Sequence, residues 1–146
     1  VWRVNFGGGP EILLVTSRDT GRWVLPKGWP MKGKKPYEAA QIEAFEEAGA
    51  LGEISKKSIG SFDYFKRQES YFELCTVKVF PMRFVEQSEN WREFGQRIAR
   101  WMEPQMAAEL VDEPGLKTIL SEFLGRLEHP KQKKQKQAKP RLKLAS

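Results

Sequence analysis

GWPMKGKKPYEAAQIEAFEEAGA, residues 28 to 50, is the stretch from which the rest of the chain can be placed. Gly28, Pro30 and Gly33 punctuate its first half as a loop, and Pro36 suits the first turn of a helix, where a missing N–H costs nothing. No breaker follows until Gly49, so a helix is expected to run to about Ala48 and stop there. On a wheel of about 100° per residue with Glu43 at zero, Glu46 falls at about 300° and Glu47 at about 40°, while Tyr37, Ala44 and Ala48 fall at about 100–140°. One face is acidic and another belongs to a core. Ala39, at about 320°, leaves space one turn before the carboxylates for an ion or a ligand. Carboxylates at i, i+3 and i+4 can supply the oxygen ligands that a hard divalent cation requires.

An ordinary solvated acidic face is the alternative, since like charges at these spacings cost an isolated helix only about 0.2–0.5 kcal/mol per pair. The placement of charge along the helix is more telling. Glu46 and Glu47 stand in the last turn, where the helix dipole disfavours anions, and Lys34 and Lys35 stand at the start, where it disfavours cations. Each mismatch costs roughly 0.3–1 kcal/mol. A metal beside Glu46 and a phosphate beside the lysines would account for both ends.

Outward from this helix, 1–6 and 11–16 are rich in β-branched and aromatic residues, and Gly7-Gly8-Gly9-Pro10 between them reads as a hairpin loop. Trp23-Val24-Leu25 is a short third strand. Strands near 59–65 and 71–80 form a second hairpin across the polar turn 66–70, with Pro81 and Met82 marking a bulge before the strand resumes. Residues 86–96 read as a polar loop, 97–102 as a last strand, 104–110 as a short helix, and 114–127 as an amphipathic helix with apolar residues at 116, 119, 120, 123, 124 and 127. This order predicts an α/β fold, a sandwich with helices on both faces of a mixed sheet.

The chain has 146 residues, 40% of them apolar, enough for one core and one domain. Its net charge of +6 suggests nucleic acid until it is divided along the sequence. Seven basic and no acidic residues lie beyond His129, whereas residues 1–128 hold 18 basic and 19 acidic side chains, a near-neutral body with no dedicated nucleic-acid surface. Residues 1–128 are therefore read as the domain and 129–146 as a Lys/Gln-rich, disordered basic tail. The tail either solubilises the protein or touches RNA or an anionic membrane through sequence-blind attraction. No apolar run is long enough for a membrane span and no secretion-signal pattern is visible, so a soluble, cytoplasmic protein is expected. Val1 is not a methionine and opens into a strand-like run, which leaves a longer natural N-terminus and a removed leader open. The lone Cys75 is expected to be a buried, inert thiol.

Residues 28–50 resemble the Nudix box, G-x5-E-x7-R-E-U-x-E-E-x-G-U, with U a bulky aliphatic residue. Gly28, Glu43, Glu46, Glu47 and Gly49 fall on their positions, and Ala44 and Ala50 stand in for the aliphatics. Lys34 replaces the first glutamate and Ile42 the arginine. The resemblance extends through the strand order to most of residues 1–128 and implies the family's α/β/α sandwich. It also implies that Glu43, Glu46 and Glu47 bind Mg²⁺ or Mn²⁺, and that the missing arginine would have paired with a helix carboxylate.

Phosphoanhydride hydrolysis requires a positioned water and relief of charge on phosphoryl oxygens, and bound metal with a nearby carboxylate meets both needs. Glu46 or Glu47 is a candidate base; Glu93 is another, because the family often brings a glutamate from a loop before the last strand, and Glu86 and Glu89 are weaker ones. Arg18, Arg22 and Lys27, in a segment similar to that of diphosphoinositol polyphosphate phosphohydrolases, are candidate substrate-binding residues together with Gly28, Lys34, Lys66, Arg67 and Arg97, with Arg100 a further cation; arginine forks match phosphate oxygens. Trp29 and Trp91 either stack a base or pack the core. The expected substrate is a diphosphoinositol polyphosphate or dinucleoside polyphosphate, with capped RNA or a nucleoside diphosphate derivative as variations. The competing expectation is a Nudix-fold module that binds a phosphate ligand or RNA with weak turnover. Without an arginine at position 42, either Glu46 is held less firmly or another cation takes the partner's place. Kinetics of Ile42→Arg test this: unchanged turnover would mean that the box arginine has no role in this chain.

Overall fold

The computed structural model describes residues 1–128, so the basic tail lies outside the described residues. The elements run β1 (Trp2–Val4), β2 (Pro10–Thr16), β3 (Trp23–Val24), α1 (Pro36–Ala48), β4 (Ala50–Ile54), β5 (Gly60–Arg67), β6 (Phe72–Val79), β7 (Met82–Gln87), β8 (Ala99–Met102), α2 (Pro104–Leu110), α3 (Pro114–Ser121) and α4 (Phe123–Glu128).

Strand β2 is the spine. Its run Ile12-Leu13-Leu14-Val15 is buried on both faces, which is why it reads as a continuous apolar stretch and not an alternating one. Because successive side chains point to opposite faces, the run divides between two cores. Leu13 and Val15 pack with Val24, Ala44, Ala48, Ala50 and Met82 beneath α1. Ile12 and Leu14 pack with Met102, Ala107, Val111, Leu116, Ile119, Leu120 and Phe123 beneath α2 and α3. This is the expected α/β/α sandwich.

The sheet is mixed. Strands β1 and β3 lie end to end along one edge of β2, pairing at Pro10–Ile12 and at Val15–Thr16, and β8 takes the other edge through Ile12–Val15, all antiparallel. Strand β1 pairs in parallel with β7, which pairs antiparallel with β4. Strands β5 and β6 form a separate two-stranded ribbon.

Four expectations need correcting. Ala50–Ile54 is a strand, β4, although the sequence reading stopped at Gly49. Its signal is weak because Gly52 interrupts it, and Gly52 is required: a Cβ there would stand 2.2 Å from Arg83 O, beside a register shift at Leu51/Gly52. Residues 81–82 are no bulge within one strand, because β6 ends at Val79 in the ribbon and β7 begins at Met82 in the main sheet. The C-terminal helix is interrupted at Glu122 (φ −101°, ψ 12°) into α3 and α4. Cys75 is half-buried, so it is not the core thiol expected.

The C-terminal end of α1 is tied to the chain 40 residues later. Gly49 adopts a left-handed φ of 64° and returns its N–H to Phe45 O at 2.8 Å. Gln87 Nε2 donates to Ala48 O at 3.0 Å and to Gly49 O at 3.2 Å, and the Ser88 N–H donates to Gly49 O at 2.9 Å. Trp91 covers Gly49 so closely that a Cβ there would stand 2.3 Å from the indole. Gly49→Ala therefore meets both a positive φ and a collision, and should destabilise the fold by on the order of 2 kcal/mol or more. Thermal denaturation checks this; an unchanged melting temperature would mean that the Trp91 contact does not hold the loop.

Candidate functional site

Four carboxylates gather where the end of α1 meets the segment between β7 and β8. Glu43, Glu46 and Glu47 come from the helix; Glu93 is brought in by its own backbone, whose N–H donates to Glu46 O at 3.0 Å. Gly28, in the loop before α1, lies against Glu43: a Cβ at position 28 would stand 2.1 Å from the Glu43 carboxylate. The first glycine of the motif is thus the absence of a side chain where a carboxylate must sit. The buried Glu47 accepts the backbone N–H of Lys27 at 3.3 Å.

Arginines answer these acids. Arg97, its side chain 10% exposed, donates from Nε to Glu93 at 2.9 Å and from Nη1 to Thr16 O at 3.1 Å, and stands 3.5 Å from Glu47. Arg18 pairs with the other Glu93 oxygen at 3.1 Å, and Arg92 lies 3.5 Å from Glu46. A cation other than residue 42 therefore stands beside Glu46, one of the two outcomes expected from the isoleucine. Arg92, Thr16 and Gln87 are not singled out by the sequence; Glu93 is named there through the resemblance and Arg97 as a phosphate-binding cation, while their i, i+4 spacing is the signal for the pair they form.

Compensation is incomplete. Burial, and then repulsion by Glu46 and Glu93, pushes the Glu43 carboxyl up. Burial, with Arg97 opposing and Glu43 and Glu93 adding, pushes Glu47 up to about 7. Burial lowers the Lys27 ammonium; Glu47 opposes this, while Arg22 and Lys66 add to it. Burial thus works against the charged form of both the acids and the lysine.

The remaining candidates divide by their contacts. Lys27 Nζ lies 4.7 Å from the centre of the Tyr64 ring, and Lys66 Nζ lies 4.1 Å from that of Trp29, so the β5–β6 ribbon faces the loop before α1 through two cation–π pairs. Lys27, Gly28, Trp29, Lys34, Ala39 and Glu43 line one cavity of about 300 Å³, which continues between Leu25, Val77, Val79 and Phe80. Arg22 is drawn to the buried Glu113 at 2.7 Å and to Asp112 at 3.5 Å. Arg67 is exposed, as are Glu86 and Glu89. Trp91 stacks edge-on with Phe94, centroids 4.8 Å apart, and serves packing; Arg100 lies 6.0 Å from the Trp23 ring.

The donor set suits a hard divalent ion: carboxylate oxygens only, with Gly28 leaving room against Glu43. As they stand, no three such side chains among the described residues meet closely enough to hold one ion. Arg92 draws Glu46 one way and Arg97 draws Glu47 and Glu93 another. Glu43, Glu46 and Glu47 are the residues that would hold the ion.

Known proteins share this architecture. The chain is 30% identical over 125 residues to Nudix hydrolase 12, mitochondrial, of Arabidopsis thaliana, an alignment covering 83% of this chain and 62% of that protein. It is 36% identical over 70 residues to diphosphoinositol polyphosphate phosphohydrolase 3-beta of Bos taurus, covering 46% of this chain and 42% of that protein. The chain thus spans less than two thirds of the length of these relatives. Among solved structures, the Ap4A hydrolase of C. elegans superposes with a TM-score of 0.63 at 23% identity, covering 86% of this chain and 92% of that one, and shares its fold. The family model of the NUDIX domain matches residues 1–123, a span that takes in the sandwich, the glycine behind Glu43 and the acidic end of α1 together, and the chain belongs to that family.

Proposed function

We propose that this domain is a divalent-metal-dependent hydrolase that cleaves a phosphoanhydride bond in a polyphosphorylated small molecule. The observation that carries this reading is that Glu43 and Lys27 line one cavity, where burial pushes the Glu43 carboxyl up and the Lys27 ammonium down. A metal–polyphosphate ligand brings positive charge to the first and negative charge to the second. When bound, Mg²⁺ or Mn²⁺ supplies Lewis acidity, drawing charge from phosphoryl oxygens and acidifying water. The chain's own residues do the rest. Lys27 and Lys66, steadied over Tyr64 and Trp29, grip the anionic chain, while Arg22 is held by Glu113. Glu47 or Glu93 takes the proton of the attacking water.

The cavity supports a nucleoside polyphosphate over an inositol pyrophosphate. Its walls beyond Glu43 are chiefly Leu25, Val77, Val79, Phe80 and Pro81, which suit a flat base better than a ring bearing phosphates. The relatives' names include both chemistries. A cytoplasmic setting is the reading of these residues, among which no helix is long and apolar enough to cross a membrane; the mitochondrial name of one relative supports an organelle instead, and imaging of the full-length protein decides.

Phosphate release with Mg²⁺ or Mn²⁺ is to be measured across dinucleoside polyphosphates, inositol pyrophosphates, nucleoside triphosphates and ADP-ribose. Turnover of at least one, highest for a dinucleoside polyphosphate, is expected, and Glu46→Gln and Glu47→Gln should each abolish it with the fold intact. Binding without turnover across the whole panel would replace the hydrolase by the binding module.

Stability provides a second check. A carboxyl raised in the fold from 4.5 to about 7 retains its proton where the unfolded chain has lost it, so stability falls as pH rises between those values and the cost is complete above them. In metal-free protein Glu47→Gln should therefore match the native chain near about pH 4 and exceed it above about pH 7 by on the order of 2 kcal/mol. Parallel denaturation curves for the two proteins at both pH values would contradict the raised Glu47.

A further inference from the structure

Arg97 reads from sequence as a phosphate-binding cation; the geometry points to a different task. We infer that Arg97 is a positioning residue, which locks the loop carboxylate Glu93 and the helix carboxylate Glu47 into one constellation and does not touch the substrate. This inference rests on the hydrolase reading.

Three edges of the guanidinium are committed to the chain itself. Nε donates to Glu93 Oε2 at 2.9 Å, Nη1 donates to Thr16 O at 3.1 Å, and Nη2 stands 3.5 Å from Glu47 Oε1. A cation with its side chain 10% exposed and three protein acceptors around it offers a phosphate little, whereas Lys27 and Lys66 stand over rings beside the cavity. The Thr16 carbonyl anchors the fork to β2, the most buried strand, and the neighbouring Ile98 N–H donates to Thr16 Oγ1 at 2.9 Å. The position of Arg97 is thus set by the sheet, and Glu93 and Glu47 take theirs from it.

The helix cannot do this for itself. Its last turn has no basic residue, and residue 42, beside the carboxylates, is isoleucine. Without the guanidinium, two poorly exposed carboxylates would be left to Arg18 at Glu93 and to Lys27 at Glu47. Lysine restores the charge but not the planar fork that reaches carbonyl and carboxylate together.

The test uses Arg97→Lys, Arg97→Gln, Glu93→Gln and the Glu93→Gln/Arg97→Gln double variant, assayed on the panel's best substrate, with amide hydrogen exchange on the metal-free proteins. Both Arg97 variants should lose roughly 100-fold in kcat while KM moves by less than roughly 3-fold. The double variant should be within roughly 3-fold of Glu93→Gln alone, because Arg97 acts through Glu93. Exchange at the Glu93 and Ile98 amides should rise while Ile12–Val15 stay protected. A raised KM with kcat retained would return Arg97 to the substrate; additive losses, or exchange unchanged at 93 and 98, would overturn the positioning role. Loss of protection throughout β2 in both variants would make Arg97 a residue of fold stability alone. The exchange readout needs no substrate, so a native protein inactive on every panel member would sink the hydrolase reading and still leave the role of Arg97 in the loop measurable.

Discussion

Everything at the site depends on holding like charges together at the wrong end of a helix. Glu46 and Glu47 face partial negative charge from the last carbonyls of α1, and the buried Glu47 also meets repulsion from Glu43 and Glu93. The fold does not relieve this within the helix. It brings the segment from Gln87 to Ile98 across the helix end, where Gln87, Ser88 and Glu93 donate to the carbonyls and Arg92 and Arg97 face the carboxylates. The site is therefore shared between two parts of the chain, neither of which is complete alone.

Much of this was legible in local pattern. Pro36 and Gly49 mark α1 because each answers a backbone requirement that depends on no other part of the chain, and Pro104–Leu110 is read for the same reason. The apolar run of β2 is legible as a strand, while its division between two cores follows from the helices that cover each face. Strand β4 is hidden because its pairing with β7, not its own residues, makes it a strand. The break at Glu122 is hidden because the apolar spacing continues across it, with Phe123 still in the core.

The carboxylate helix was legible in full, the arginines only as types. Arg18, Arg22 and Arg97 present the same residue to a reader of the sequence, and only tertiary structure assigns them to Glu93, to Glu113 and to the junction of Glu93 with Glu47. Cations near a polyphosphate site serve either the ligand or the chain's own acids, and composition does not separate these uses. Exposure and distance do: Lys27 and Lys66 lie over rings at the cavity, while Arg97 is enclosed by acceptors.

The bonds from Arg97 and Ile98 back to Thr16 close loops of 81 and 82 residues. Contacts between such distant positions form only after the entropy of closing the intervening chain has been overcome, which places them late in folding. The turns of helix α1 close through local bonds, whereas the cation beside Glu46 comes from Arg92, 46 residues later in the chain. The carboxylate site is in this way tied to long-range contacts, and the helix by itself carries the motif without the site.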